Sequence, residues 1–192
     1  MKYFLSVLVM ALLACNSEYT PRKKGYYKID FPERAYRSYH PQNAPYSFDY
    51  PVYAEVVKDT TFFEESPENP WWANIDFPQF NGRIYVSYKQ IQNEKHFEQM
   101  VNDAFKMTYS HTTKASAIND SLMTTPNGLT GVYFKVGGNA ATAHQFFVTD
   151  SVKHFLRGAL YFDSTPNEDS LSVVNEFLFE DMRQLINSLK WY

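Results

Sequence analysis

The sequence predicts an α+β fold, an antiparallel sheet covered by helices. Three observations carry that prediction. Runs alternating apolar and polar residues fill much of the span from Tyr46 to Phe162. One amphipathic helical stretch interrupts them after Asn93, and a longer one closes the chain after Pro166. Strands grouped around helices, without regular βαβ alternation, favour an antiparallel sheet.

The elements follow in order. Tyr46, Phe48 and Tyr50 alternate with Ser47 and Asp49, and Pro51 interrupts that strand, which Ala54 to Val57 resume. Asp59 to Pro70 is an acidic, proline-containing loop. Trp72 to Phe77 and Arg83 to Ile91 read as strands joined by the hairpin signal Asn81-Gly82. Asn93 caps a helix whose stripe is Phe97, Met100, Val101, Ala104, Phe105 and Thr108. Ser116 to Met123 fits neither period. Leu129 to Val136, Ala143 to Thr149 and Lys153 to Phe162 are strands, with turns at Gly137-Gly138-Asn139 and Asp150-Ser151. The last helix presents Leu171, Val174, Leu178, Met182, Leu185, Ile186 and Leu189. Ile29-Asp30-Phe31-Pro32 recurs as Ile75-Asp76-Phe77-Pro78, which reads as two strand ends stopped by proline.

The N-terminus is an address. Met1-Lys2-Tyr3 precedes an almost wholly apolar run, Phe4 to Leu13, the length of a signal-peptide core and half of what a spanning helix needs. Leu12-Leu13-Ala14-Cys15 then resembles the bacterial lipoprotein box, in which cleavage precedes a diacylated Cys. Cys15 is the chain's only cysteine, so an internal disulfide and every multi-cysteine zinc or iron–sulfur pattern are excluded. The expected organisation is a signal peptide over 1–14, lipidated Cys15 and a basic tether over 15–44, and one α+β domain over 45–192.

Asn16 to Ala44 holds six basic and three acidic residues, net +3, against −7 for Pro45 to Tyr192. That segment is a solvated linker or a strip drawn to anionic headgroups. Extended, its 29 residues reach at most about 100 Å. The whole 192-residue chain has net charge −3, which offers no global field for nucleic acid.

Blocks of sequence resemble a known family. The lipoprotein start, Tyr26-Tyr27-Lys28-Ile29-Asp30-Phe31-Pro32, Tyr46-Ser47-Phe48-Asp49-Tyr50-Pro51, Trp72-Ala73-Asn74-Ile75-Asp76-Phe77-Pro78, Val86-Ser87-Tyr88 and Leu156-Arg157-Gly158-Ala159-Leu160-Tyr161-Phe162 are similar to the GldD family of gliding-motility lipoproteins of Bacteroidetes. The resemblance implies an envelope lipoprotein, most naturally at the outer membrane and facing the periplasm, needed for gliding and linked to type IX secretion. It implies partners among those envelope proteins, and neither enzyme activity nor a cofactor. It also implies a Cys before the tryptophan block, where this chain has Pro70-Trp71, so no disulfide role carries over. The strand order and the helix from Asn167 to Trp191 look like a PsbP-type α-β-α sandwich.

No serine-hydrolase elbow, P-loop, zincin helix or dinucleotide glycine pattern occurs. A two-residue turn at Asp150-Ser151 would set His144 opposite Arg157 and His154 opposite Phe147, so the two histidines form no ligand pair and no metal is expected. Trp71-Trp72 is the partner-binding candidate, with Glu64 and Glu65 of the adjoining loop as its charged rim; core packing of both rings is the alternative. Those acids also read as a solvated loop or a weak calcium site. Asp-Ser/Thr pairs resemble the O-glycosylation acceptor motif of exported Bacteroidetes proteins, with Thr60 and Ser121 the expected acceptors. A module that binds a small molecule or glycan, or hydrolyses it, is the rival functional reading; an apolar pocket with convergent polar groups is its mark.

Overall fold

The computed structural model describes Gly25, residues 28–58 and residues 67–192. Cys15, Tyr26, Tyr27, Thr60, Glu64 and Glu65 lie outside the described residues. Two units separate at Asp30. In the first, Lys28 and Asp30 form an exposed ion pair at 2.6 Å.

The second unit runs from Phe31 to Tyr192. Its strands are β1 (Tyr36–Tyr39), β2 (Tyr46–Pro51), β3 (Glu55–Lys58), β4 (Ala73–Phe77) and β5 (Gly82–Gln90), then β6 (Ala115–Thr124), β7 (Thr130–Gly138), β8 (His144–Thr149), β9 (His154–Phe162) and β10 (Lys190–Trp191). Helix α1 (Glu94–Tyr109) follows β5, and α2 (Glu168–Ser188) follows β9. Seven strands make one antiparallel sheet in the order β3-β4-β5-β9-β8-β7-β6, and β1-β2-β10 make a smaller one.

The large sheet is sandwiched. Alternation aims Ile75, Ile84, Val86, Tyr88, Phe146, Val148, Leu156 and Leu160 at one core, shared with Val174, Leu178, Met182, Leu185 and Ile186 of α2. Gly158 is required there, because a Cβ would stand 2.3 Å from the Phe146 ring. On the other face Val132, Phe134, Phe147 and Phe155 pack under Met100 and Ala104 of α1. Both helices begin as the sequence indicates, with Asn93 and Asn167 side chains accepting from the N–H of His96 and Ser170. No helix among the described residues is long and apolar enough to cross a membrane.

Five expectations are corrected in detail. The folded body starts at Phe31, ahead of the expected boundary at Pro45, because β1 pairs with β2. Val56 and Val57 do not resume β2: a turn at Pro51 (Ala54 N–H to Pro51 O, 3.0 Å) sends the chain to the edge of the other sheet. Ser116 to Met123 is strand β6, whose residues are largely exposed because it is an edge. The last helix stops at Ser188, and Lys190–Trp191 pair with Ser47 and Tyr46. Of the two Ile-Asp-Phe-Pro copies, only Ile75-Asp76-Phe77 is a strand end.

Candidate functional site

Of the tryptophan pair, Trp72 is buried and Trp71 half-buried. Trp72 is 8 % exposed, belongs to the main core and donates Nε1–H to the Tyr88 carbonyl at 2.7 Å. Trp71 is half-buried, packs on the same core, and meets the Tyr88 ring edge-on at 5.8 Å. The Tyr46 hydroxyl donates to the Trp71 carbonyl. Trp72 is therefore withdrawn as a surface anchor: the sheet needs its ring inside. Ser121 is exposed on edge strand β6.

The turn after β8 also differs. Asp150 Oδ1 accepts the N–H groups of Val152, Lys153 and His154, and Ser151 takes φ 63°, so the loop holds four residues and the register shifts. Phe147, not His144, faces Arg157. His144 is buried beneath α2, hydrogen-bonded to the Tyr133 hydroxyl and stacked on Phe179 at 4.8 Å. Burial, then nearby Lys135, pulls its pKa down to about 4. His154 bonds Tyr88 at 2.8 Å and stacks on Trp191.

The best-formed surface feature lies where α1 runs out. Opposed residues of antiparallel strands share a face, so Asp76, Arg83 and Tyr161 form one row and Asn74, Tyr85 and Ala159 the next, on the α1 side. Helix α1 packs its apolar stripe on this face over β7, β8 and β9, and its last residue, Tyr109, bonds Asp120 of β6 at 3.0 Å. Among the described residues, none of the helices covers the β3–β5 half, where Val57 is 45 % exposed and Arg83, Tyr85, Ser87 and Lys89 are partly exposed. Arg83 grips Asp76 with both ends of its guanidinium, at 2.5 and 2.7 Å, which holds its pKa above the ordinary value. Lys89 pairs with Glu68.

Two hollows open along this border. One of about 520 Å³ lies against Asp76, Asn81, Arg83 and Phe162. The other, of about 380 Å³, lies between Met107 and His111 at the end of α1 and Arg157 on β9. Tyr85 and Tyr161 line both, packed edge to face at 5.7 Å. Arg157 donates to Gln145 Oε1, which the Thr108 hydroxyl also reaches at 3.2 Å. Burial holds the Arg157 pKa below its usual value; burial and then Arg157 lower that of His111.

A second charged cluster is structural in geometry. Asp181, 1 % exposed on α2, accepts from Tyr36 (2.9 Å) and Tyr53 (2.5 Å), and Arg34 lies 3.5 Å away. Arg34 also donates to the Phe177 carbonyl and caps that ring at 4.2 Å, while Phe31 stacks on it at 4.3 Å. Burial raises the pKa of Asp181; burial and then the Asp181 bond push Tyr36 up to about 12. This cluster clamps residues 31–36 onto α2. No local pattern points to it, because Asp181 sits in an apolar helical stripe and its partners are remote in the chain.

Comparisons with known proteins place the chain. The family model for gliding motility lipoprotein GldD matches residues 16–191. None of the curated proteins matches significantly. The solution structure of cyanobacterial PsbP (CyanoP) from Synechocystis sp. PCC 6803 is similar in fold, with TM-score 0.50, 14% identity, and coverage of 87% of this chain and 98% of that one. The Saccharomyces cerevisiae Ran-binding protein Mog1p aligns with TM-score 0.49 and 7% identity over 83% of this chain and 96% of its own. The PsbP-like α-β-α expectation holds.

Proposed function

The chain belongs to the gliding motility lipoprotein GldD family, and on that premise we propose that it works in the gliding apparatus and its linked type IX secretion machinery by binding other envelope proteins. Acylated Cys15 holds it at the outer membrane, facing the periplasm. The reading assigns it no catalytic step. One observation carries the binding role: the α1-side face of the sheet is left without helical cover over β3–β5 among the described residues. Exposed Val57 and partly exposed Tyr85 there offer apolar contact, and Glu55, Arg83 and Lys89 offer a charged surround. An apolar centre inside a polar rim is the ordinary anatomy of a protein interface.

Photocrosslinking in native envelopes tests this. A crosslinker placed at position 57 is expected to capture a discrete envelope protein, and the Cys15→Ser form, untethered, to capture far less. Adducts only at α2 positions, with none at 57, would overturn the assignment. The 380 Å³ hollow at Arg157 supports a second reading, small-molecule binding on the same fold.

A further inference from the structure

We propose that the cleft between the end of α1 and strands β5 and β9 binds a small organic carboxylate, with its acid group on Arg157 and its apolar body against Tyr85, Tyr161 and Met107. Charge is unbalanced at this cleft. Arg34, Arg83 and Arg183 each have a carboxylate within 4 Å, namely Asp181, Asp76 and Glu180, and Arg37 donates to the Ala54 carbonyl and lies over the Tyr50 ring. Arg157 has no such carboxylate among the described residues; its hydrogen bond goes to the neutral Gln145. A guanidinium drawn out of water is costly unless an anion meets it.

Geometry then selects the anion. Arginine carries five N–H donors in a planar fork, which matches a carboxylate in two parallel bonds. Gln145 Oε1, which the Thr108 hydroxyl of α1 also reaches, accepts from one Nη of that fork and leaves its other N–H donors for a ligand. Asp76, an acid on the same face, is already engaged by Arg83. His111 lines the cleft beside Arg157 and adds no negative charge. The walls are aromatic and thioether surface, which suits a hydrocarbon or aryl body better than a bare inorganic anion. The volume of about 380 Å³ falls within the range of small-molecule sites, roughly 300–1,000 Å³.

Calorimetric titration of the full chain with phenylacetate and hexanoate tests the site, with phenylacetamide and hexylamine as charge controls. Saturable one-site binding of a carboxylate is expected, with the neutral amide weaker by about tenfold or more. Arg157→Met should weaken carboxylate binding by about the same factor while melting normally. Because Arg157 lies partly beneath α1, a rim variant provides an independent reading: Met107→Trp narrows the cleft without touching the charge, and should also reduce affinity. The proposal is overturned if neither carboxylate saturates the protein in the millimolar range, if acid and amide bind equally, or if Arg157→Met binds like wild type. Such a failure leaves the docking surface on β3–β5 untouched, since that is read by crosslinking at position 57.

Discussion

The two halves of the α1-side face follow the same pleat and differ in what covers them. Over β7, β8 and β9 the inward positions are Val132, Phe134, Phe147 and Phe155, and α1 buries them. Over β4 and β5 the equivalent rows are Asp76, Arg83, Tyr85, Ser87 and Lys89, and no described helix lies on them. Residue type along the strands thus marks where the helix belongs. An aromatic row must be taken out of water, whereas a row of paired charges and tyrosines is stable half-wet. The half beneath α1 carries stability, and over the other half no described helix adds that burial.

The largest expected effect breaks the covered half. Phe134→Ala leaves a cavity beneath α1 and should cost about 3–5 kcal/mol, whereas Ser87→Ala on the uncovered half should stay within about 0.5 kcal/mol. Chemical denaturation of the two variants measures the contrast; equal losses would erase the distinction between the halves.

The tryptophans sharpen it next. Trp72→Ala should cost about 3–5 kcal/mol, as a buried aromatic does, with Trp71→Ala clearly less because its ring is half-buried. Thermal melts of both rank them, and a Trp71 variant that melts lower than the Trp72 variant would reverse the placement.

The Asp181 clamp gives a smaller, pH-dependent effect. The unfolded carboxyl titrates near ~3.9, and burial raises it in the fold. Folding therefore takes up a proton between those two values. The stability linked to Asp181 is complete below the unfolded pKa and is lost as pH rises through the folded one. Urea melts of wild type and Asp181→Asn from about pH 4 to 7 should show wild type losing ground to the variant as pH rises. The opposite slope would place the Asp181 pKa below its unfolded value.

Legibility in the sequence followed locality. Strand β5 and both helices were readable because one face of each is buried, so apolar period and cap residues agree, while β2 and β4 carry alternating apolar residues although most positions on both their faces are buried. β6 was not, since its residues are largely exposed and no alternation is imposed. Residues 31–39 read as tether because their anchors are remote: Tyr36 meets Asp181 at 145 residues' separation. The same limit hid the site. Arg157 stands out only once the register places it opposite Phe147 and beside Gln145, and that register depends on how Asp150 folds its turn.

The most direct test of the central claim compares the two edges of the sheet. Val57 on β3 and Leu122 on β6, the latter 90 % exposed, both lie on the α1-side face at opposite margins. Replacing either by Lys should leave folding within about 0.5 kcal/mol of wild type. Gliding and recovery of crosslinked envelope partners are then scored for each. The account expects Val57→Lys to lose both and Leu122→Lys to keep both. Normal gliding and partner recovery in Val57→Lys, or their loss in Leu122→Lys alone, would contradict it.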